Sequence, residues 1–181
     1  MKVIGIVCSP RKEGNTEIVV GEALAGAAEK GAETELLPLG GLNISPCTAC
    51  EDCVKTGVCT IEDDMKPIYS KLVLADGIII GTPVYFWTVS AQTKLMIDRT
   101  YALRGGKLGG KVCGGIAVAG RRGTTNALEL LNMFFLGQGM RPVSNGVSAY
   151  ASVKGGVRKD ERGMSSARDL GRRIVETIAN I

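Results

Sequence analysis

Four cysteines, Cys47, Cys50, Cys53 and Cys59, lie within thirteen residues in the spacing Cys-x2-Cys-x2-Cys-x5-Cys. In ferredoxins a Cys-x2-Cys-x2-Cys run binds three corners of a cubane cluster, and the next cysteine binds a different cluster. This chain has no second run, and Gly57 allows the backbone to curl so that Cys59 can reach the remaining corner. The spacing therefore predicts one [4Fe–4S] cluster.

A zinc site and a set of metal-free redox thiols remain open as alternatives. Zinc ribbons usually separate two Cys-x2-Cys pairs by a dozen or more residues, so this compact run fits zinc poorly. The chain contains no histidine, which excludes Cys2His2 zinc sites, histidine-based catalytic triads, histidine-ligated haem and Rieske centres. The other two cysteines, Cys8 and Cys113, lie in strand-like runs, and we expect them to be small buried apolar residues.

Composition indicates one α/β domain over residues 1–181, with 45% hydrophobic residues and 25 glycines. No apolar run reaches the ~20 residues that span a bilayer, and the N-terminus lacks a signal-peptide pattern. We therefore expect a cytoplasmic protein whose six cysteines serve metal or redox chemistry rather than disulfides. The net charge of +4, without a run of five basic residues, argues against nucleic acid and suits an anionic ligand.

Apolar strand-like runs alternate with segments of helical period along the whole chain. Strands are predicted at 3–8, 34–39, 77–81, 112–119 and 143–147, and helices at 17–30, 64–75, 91–103, 124–136 and 166–181. This alternation predicts a parallel sheet covered by helices on both faces. Right-handed crossovers favour the flavodoxin-like strand order 2-1-3-4-5, with the cysteine loop inserted after strand 2. Ligands of such sheets bind outside the carboxyl ends of the strands, at the switch point between strands 1 and 3.

The loop after the first predicted strand has the sequence SPRKEGNT, at residues 9–16, and leads directly into a helix. It matches neither the Walker loop nor the dinucleotide-binding Gly-x-Gly-x-x-Gly. It nevertheless offers a phosphate the free N–H groups of a helix N-terminus and the polar side chains of Ser9, Arg11, Asn15 and Thr16. A plain capped turn, with Asn15 as the N-cap, is an equally simple interpretation.

Three of the eight aromatic residues, Tyr85, Phe86 and Trp87, are consecutive in the loop after strand 3. Consecutive aromatic side chains cannot all face a core, so at least one meets solvent, a partner or a flat ligand. A phosphate at the first loop and a planar ring at this one predict FMN. An oligomer interface that buries Phe86 and Trp87 is the alternative, and both interpretations can hold together.

The loop after strand 4, residues 119–126, is rich in glycine and again precedes a helix. Its backbone is suited to approach the polar edge of a flavin ring, with Arg121 or Arg122 near a ring carbonyl or an anionic reductant. Solvated arginines in a turn are the simpler alternative. We assign no catalytic side chain, and Tyr85 is the only nearby candidate for a general acid or base.

Three segments of the chain, in this order and at suitable separations, resemble the archaeal-type iron–sulfur flavoprotein family, a branch of the NADPH-dependent FMN reductases. They are SPRKEGNT (9–16), CTACEDCVKTGVCTIEDDM (47–65) and TPVYFWTVSAQTKLMIDRT (82–100). The resemblance implies homo-oligomers, dimers or tetramers, in which a cluster passes electrons to the flavin of a neighbouring protomer. It places the FMN phosphate at Ser9, Arg11, Asn15 and Thr16, and the isoalloxazine ring against Pro83, Val84, Tyr85, Phe86 and Trp87, beside Ala119 and Gly120.

The resulting hypothesis is an electron-transfer oxidoreductase. The cluster would accept single electrons from a ferredoxin-type donor, and FMN would accumulate two for a small acceptor such as a quinone, oxygen or peroxide. A second hypothesis omits the cluster and has NAD(P)H reduce FMN, which then reduces a quinone, an azo dye or free flavin. A third is a non-catalytic interaction module that a metal stabilises and that binds partners through the aromatic loop.

Overall fold

The computed structural model describes residues 1–181. The strands are β1 (Lys2–Val7), β2 (Glu33–Pro38), β3 (Gly77–Pro83), β4 (Val112–Ala119), β5 (Arg141–Pro142) and β6 (Val147–Tyr150). The helices are α1 (Asn15–Glu29), α2 (Asp52–Thr56), α3 (Lys66–Leu74), α4 (Ala91–Arg99), α5 (Thr124–Gly137) and α6 (Glu161–Ala179), with 3-10 turns at Thr100–Leu103 and Gly156–Lys159. No helix is both long and apolar enough to cross a bilayer.

All strand pairs are parallel, and the order is β2-β1-β3-β4-β5, with β6 also pairing with β4. This confirms the predicted doubly wound α/β sheet of order 2-1-3-4-5 and the cysteine loop after β2. Every residue of β3 and of β4 is buried. Uninterrupted burial is what the central strands of a parallel sheet require, because helices cover both faces.

Two hydrophobic cores lie on the two faces of the sheet. Ile4 and Ile6 of β1 point into the core formed with α3, α4 and α5, whereas Val3 and Val7 point into the core formed with α1 and α6. The alternation follows from the two-residue period of a strand. On the second face α1 and α6 touch backbone to backbone, since a Cβ on Gly171 would lie 1.8 Å from the carbonyl oxygen of Ala23.

The predicted last strand is present next to β4, but its predicted bounds, 143–147, are wrong. Its place is taken by β5 and β6, which pair with β4 on either side of a four-residue bulge, 143–146. Gly146 produces the bulge because its φ of +106° lies in the region that only glycine adopts without strain. A Cβ there would also lie 2.5 Å from the side chain of Leu128, so no other residue fits without movement.

Two predicted helix boundaries also move. The helix predicted at 91–103 ends at Arg99 and continues as a 3-10 turn. The helix predicted at 166–181 begins at Glu161 instead, because the Asp160 carboxylate accepts a hydrogen bond from the N–H of Gly163 at 3.0 Å and caps it. The short helix α2 inside the cysteine loop was not predicted.

The register of the sheet brings the carboxyl ends of its central strands together. Val7 at the end of β1 pairs with Gly81, and Ala119 at the end of β4 pairs with Tyr150 at the end of β6. The loops that leave these strands therefore emerge at one edge of the sheet, as a ligand site at the switch point requires.

Candidate functional site

The loop after β1 presents the N-terminus of α1. Gly14 is the N-cap, and no hydrogen bond within the chain uses the backbone N–H groups of Asn15, Thr16 or Glu17. The Ser9 and Thr16 side chains are buried beside them, and Arg11 is exposed with no carboxylate partner. Free N–H groups at a helix N-terminus, next to an unpaired guanidinium, have the donor chemistry that a phosphate monoester needs.

The alternative interpretation of Asn15 as an N-cap is wrong. Its side-chain amide donates to the carbonyl oxygen of Val153 at 2.8 Å, and its amide oxygen accepts from the N–H of Val157 at 3.4 Å. The Ser152 hydroxyl of the same segment donates to the carbonyl oxygen of Gly120 at 3.4 Å. Residues 151–157 therefore form a fourth loop that joins the loops after β1 and β4. Sequence reasoning missed it, although the Gly155–Gly156 pair signals a turn there.

The aromatic loop after β3 forms a two-residue hairpin turn. Tyr85 and Thr88 exchange backbone hydrogen bonds of 3.0 and 3.2 Å, and between them Phe86 and Trp87 have φ values of +46° and +67°. Such a turn normally carries Asn-Gly, and each non-glycine residue held there costs of the order of 1 kcal/mol or more. Phe86 is 100% exposed and Trp87 57% exposed, so the turn presents flat apolar side chains to solvent. This confirms that the consecutive aromatics do not all face the core.

The glycine loop after β4 lies against this turn. A Cβ on Gly123 would lie 2.9 Å from the side chain of Val84 and 3.2 Å from the Cα of Trp87. Pro83 is buried, Val84 is half-buried, and Ala119 and Gly120 stand at the end of the neighbouring strand. The structure thus brings together at one edge the three loops that the sequence singled out. Arg121 and Arg122 are exposed beside them.

A buried polar cluster, not anticipated from the sequence, fixes the base of the aromatic loop. The Ser90 hydroxyl donates to the carbonyl oxygen of Cys8 at 2.6 Å and also caps α4 by accepting from the N–H of Thr93 at 3.3 Å. The Thr93 hydroxyl donates to the Thr82 hydroxyl at 2.8 Å. The end of β1, the end of β3 and the start of α4 are therefore held in one arrangement.

Cys8 and Cys113 are both fully buried, which confirms the prediction that they are small core residues. Burial raises the pKa of each thiol to about 12, because a thiolate would lose its hydration in the core. Neither residue has the character of a reactive or metal-binding cysteine.

The cysteine loop surrounds a hollow of about 550 Å³, lined by all four predicted cysteines together with Ile97, Tyr101 and Phe134. Cys47 and Cys50 are exposed, whereas Cys53 and Cys59 are half-buried. Left-handed backbone at Ala49 (φ +53°), Glu51 (φ +62°) and Gly57 (φ +74°) turns the chain around the hollow. Only the turn at Gly57 was predicted.

No three cysteine or acidic side chains of the chain lie close enough together to hold a single metal ion. The four sulfurs of a mononuclear zinc site would lie roughly 3.8 Å apart, since each Zn–S bond is ~2.3 Å long. The ligands of a four-iron cluster bind four different irons, so their sulfurs stand farther apart around a larger space. Four thiols line one hollow, and cysteine thiolates are the donor set that iron–sulfur clusters use.

A buried ion pair anchors the cysteine loop to the end of α4. The Arg99 guanidinium contacts both carboxylate oxygens of Asp63, at 2.5 and 3.1 Å, and donates to the carbonyl oxygen of Ser45 at 2.9 Å. It also donates to the Cys59 sulfur at 3.5 Å. The two charged side chains are 0% and 1% exposed. The Nε–H of Arg99 is buried without an acceptor, and such an orphaned donor costs about 1–3 kcal/mol.

This anchor changes the electrostatics of Cys59. Burial alone would raise the pKa of the Cys59 thiol, but the N–H of Ile61, the Tyr69 hydroxyl and the Arg99 guanidinium together hold that pKa below its ordinary value. Burial likewise works against ionisation of Asp63, but Arg99 and two backbone N–H groups keep the pKa of this carboxyl lowered. A thiol that ionises readily is a better metal ligand, since the thiolate is the binding form.

Comparison with known proteins adds relatives over almost the whole chain. Residues 1–154 match the family described as NADPH-dependent FMN reductase. An iron–sulfur flavoprotein of Methanocaldococcus jannaschii is 41% identical, covering 98% of this chain and 97% of its own. One of Archaeoglobus fulgidus is 39% identical, covering 97% and 96%. Among solved structures, a WrbA-like flavodoxin from Agrobacterium tumefaciens superposes with a TM-score of 0.70 at 19% identity, covering 99% of this chain and 97% of that one.

Proposed function

This chain belongs to the NADPH-dependent FMN reductase family and to its iron–sulfur flavoprotein branch, which makes it a flavin-dependent oxidoreductase that uses FMN, and we propose that it also carries a [4Fe–4S] cluster. The observation that carries the proposal is that all four cysteines line one hollow and so offer four thiolates to a shared space. When bound, the cluster supplies one-electron transfer and FMN supplies the exchange between one-electron and two-electron chemistry.

The residues at the carboxyl edge of the sheet would bind and orient FMN. The free N–H groups of Asn15 and Thr16, the exposed guanidinium of Arg11 and the Ser9 hydroxyl would hold the phosphate. The ring would lie against the aromatic loop, at Pro83, Val84, Tyr85, Phe86 and Trp87, with Ala119 and Gly120 beside it. Because the Asn15 side chain is already engaged by residues 153 and 157, it would act by fixing the loop rather than by touching the phosphate.

Cys47, Cys50, Cys53 and Cys59 would be the cluster ligands. The Arg99–Asp63 pair would keep Cys59 in position and ionised, as described above. Such a site requires reduced thiols, which favours a cytoplasmic location. We assign no catalytic side chain, because the cofactors carry the chemistry. Tyr85, 40% exposed in the aromatic turn, remains the candidate for proton transfer.

For partners, we propose a ferredoxin-type donor or NAD(P)H and a small acceptor such as a quinone, oxygen or peroxide. We propose no nucleic acid and no membrane as partners, and we treat residues 1–181 as one FMN-binding unit. Large exposed apolar side chains, Phe86 (100%), Met133 (70%) and Leu136 (61%), further suggest that the chain assembles as a homo-oligomer, a dimer or tetramer. Light scattering coupled to size-exclusion chromatography tests this, and a monomer at micromolar concentration would contradict it.

The main experiment is anaerobic purification followed by assays of iron, acid-labile sulfide and FMN. We expect about four irons and one FMN per wild-type chain. Cys53→Ser should lose the iron and the brown colour but keep FMN. Cys113→Ala is the matched control and should keep both, since Cys113 is buried in the core.

A second candidate, a cluster-free NAD(P)H-dependent FMN or quinone reductase, is supported by the family match itself. The same purification decides between the two. An iron-free wild-type chain that still oxidises NADPH would refute the cluster and establish this alternative. Loss of FMN together with iron in Cys53→Ser would instead show that the cysteine loop supports the fold. The third hypothesis, a non-catalytic module, is inconsistent with membership of this enzyme family.

A further inference from the structure

Two of the four loop cysteines contact arginine side chains and the other two do not. Arg99 donates to the Cys59 sulfur at 3.5 Å, and Arg104 donates through Nη1 to the Cys53 sulfur at 3.8 Å. Cys50 contacts only a threonine hydroxyl, at 3.8 Å. The half-buried cysteines are therefore the ones that face positive charge, which comes from the last residue of α4 and from the end of the 3-10 turn after it.

The two arginines differ in whether a carboxylate balances their charge. Arg99 is paired with Asp63 inside the protein, so the pair carries no net charge, and Arg99 acts on Cys59 through its direct contact with the sulfur. Arg104 forms no ion pair with any carboxylate of the chain and lies over the ring of Tyr101, 5.1 Å from its centroid. Because a π face attracts a cation without neutralising it, Arg104 brings its full charge to Cys53.

We propose that Arg104 sets the reduction potential of the cluster, whereas Arg99 positions Cys59. The proposal rests on the proposed function, since it requires the cluster on these cysteines. Reduction adds an electron to a group that its thiolate ligands already make negative. An uncompensated cation that also donates to a ligand sulfur stabilises the reduced form more than the oxidised form, and so raises the potential.

Three substitutions at Arg104 separate its contributions. Arg104→Lys keeps the charge, Arg104→Gln keeps N–H donors without the charge, and Arg104→Met removes both. The matched control is Lys107→Met. Lys107 is exposed and donates to the carbonyl oxygen of Gly57 at 3.0 Å, so it offers the same charge to the same loop but touches no sulfur.

The measurement is a potentiometric titration of the anaerobically purified proteins, followed by electron paramagnetic resonance of the reduced cluster. At one fixed solution potential, Arg104→Met should lower the ratio of reduced to oxidised cluster about tenfold, which is a shift of about 59 mV for a one-electron couple. Arg104→Gln should shift in the same direction, whereas Arg104→Lys and Lys107→Met should stay near the wild-type potential. Arg104 is half-buried beside the cysteine loop, just after the 3-10 turn Thr100–Leu103. The glutamine and lysine variants cover the case in which the methionine variant fails to bind iron.

Two results would overturn the proposal alone, both with iron-loaded wild-type protein. One is an unchanged potential in Arg104→Met and Arg104→Gln, and the other is an equal shift in Lys107→Met. A wild-type chain without iron and sulfide would overturn the cluster assignment and this proposal together, so the two failures are distinguishable.

Discussion

Replacing Arg99 with methionine tests how strongly the buried ion pair holds the cysteine loop. Its side chain is 0% exposed and that of Asp63 1%, so the substitution leaves a buried carboxylate without a counter-charge. Removing one partner of such a pair costs about 3–5 kcal/mol. In a chain of this size 1 kcal/mol moves the melting temperature by about 2–4 °C. We therefore expect Arg99→Met to melt roughly 6–20 °C below the wild type.

The assay is urea and thermal unfolding of the iron-free chain, so that metal binding does not mask the loss of stability in Arg99→Met. The double variant Arg99→Met/Asp63→Asn should lose clearly less unfolding free energy than the two single variants lose in sum, because it no longer buries an unpaired charge. The control is Lys94→Met, which removes an exposed pair with Asp98 one helical turn away and should cost no more than about 0.5 kcal/mol.

Two outcomes would refute this reasoning. If Arg99→Met lost no more stability than Lys94→Met, the pair would not anchor the loop. If the losses of the single variants simply added in the double variant, the two side chains would act independently despite their contact.

Three further predictions concern the core, the aromatic turn and the bulge. Since burial raises the pKa of Cys8 and Cys113 to about 12, the folded chain keeps protons that the unfolded chain loses from about pH 9 upward. Unfolding free energy should therefore fall between about pH 9 and pH 12, by up to about 1.4 kcal/mol per pH unit for each thiol, and the double alanine variant should show a shallower slope. Phe86→Gly should stabilise the FMN-free chain by about 1 kcal/mol in urea unfolding, because it relieves a φ of +46°, and a loss of stability would contradict the strain. Gly146→Ala should destabilise the chain by about 1–3 kcal/mol, clearly more than Gly105→Ala. Both glycines have positive φ, but only at Gly146 would the added Cβ have neighbours within 4 Å. Equal losses of unfolding free energy in the two variants would contradict the role of packing.

The sheet order was predictable because its signals are local. A short, uninterrupted apolar run such as GIIIG, at 77–81, that alternates with helical segments is typical of a central strand in a covered parallel sheet, and the chirality of crossovers then leaves few strand orders. The same rule placed the loops after β1, β3 and β4 at one edge. The loop positions thus follow from topology, without any knowledge of side-chain contacts.

The missed features depend on residues far apart in the sequence. The Asn15 amide finds its partners 138 and 142 residues away, and Arg99 meets Asp63 36 residues away. In the sequence Asn15 looks like an N-cap, which is its commoner role. Arg99 lies inside the predicted helix 91–103, where nothing in the local pattern signals a buried carboxylate partner. The bulge that ends at Gly146 was missed for a related reason, because it is defined by pairing with β4 rather than by a pattern within its own strand.

Helix α4 connects the two candidate cofactor regions. Its N-cap, Ser90, belongs to the buried polar cluster beneath the aromatic loop, and its last residue, Arg99, holds Cys59 and Asp63. Nine residues at ~1.5 Å each give a rigid rod about 13–14 Å long. Because both ends are fixed by buried hydrogen bonds, the position of the cysteine loop relative to the aromatic turn is set by the length of one helix. The cysteine loop carries little regular structure of its own, so its geometry depends on this helix and on the ion pair at its end.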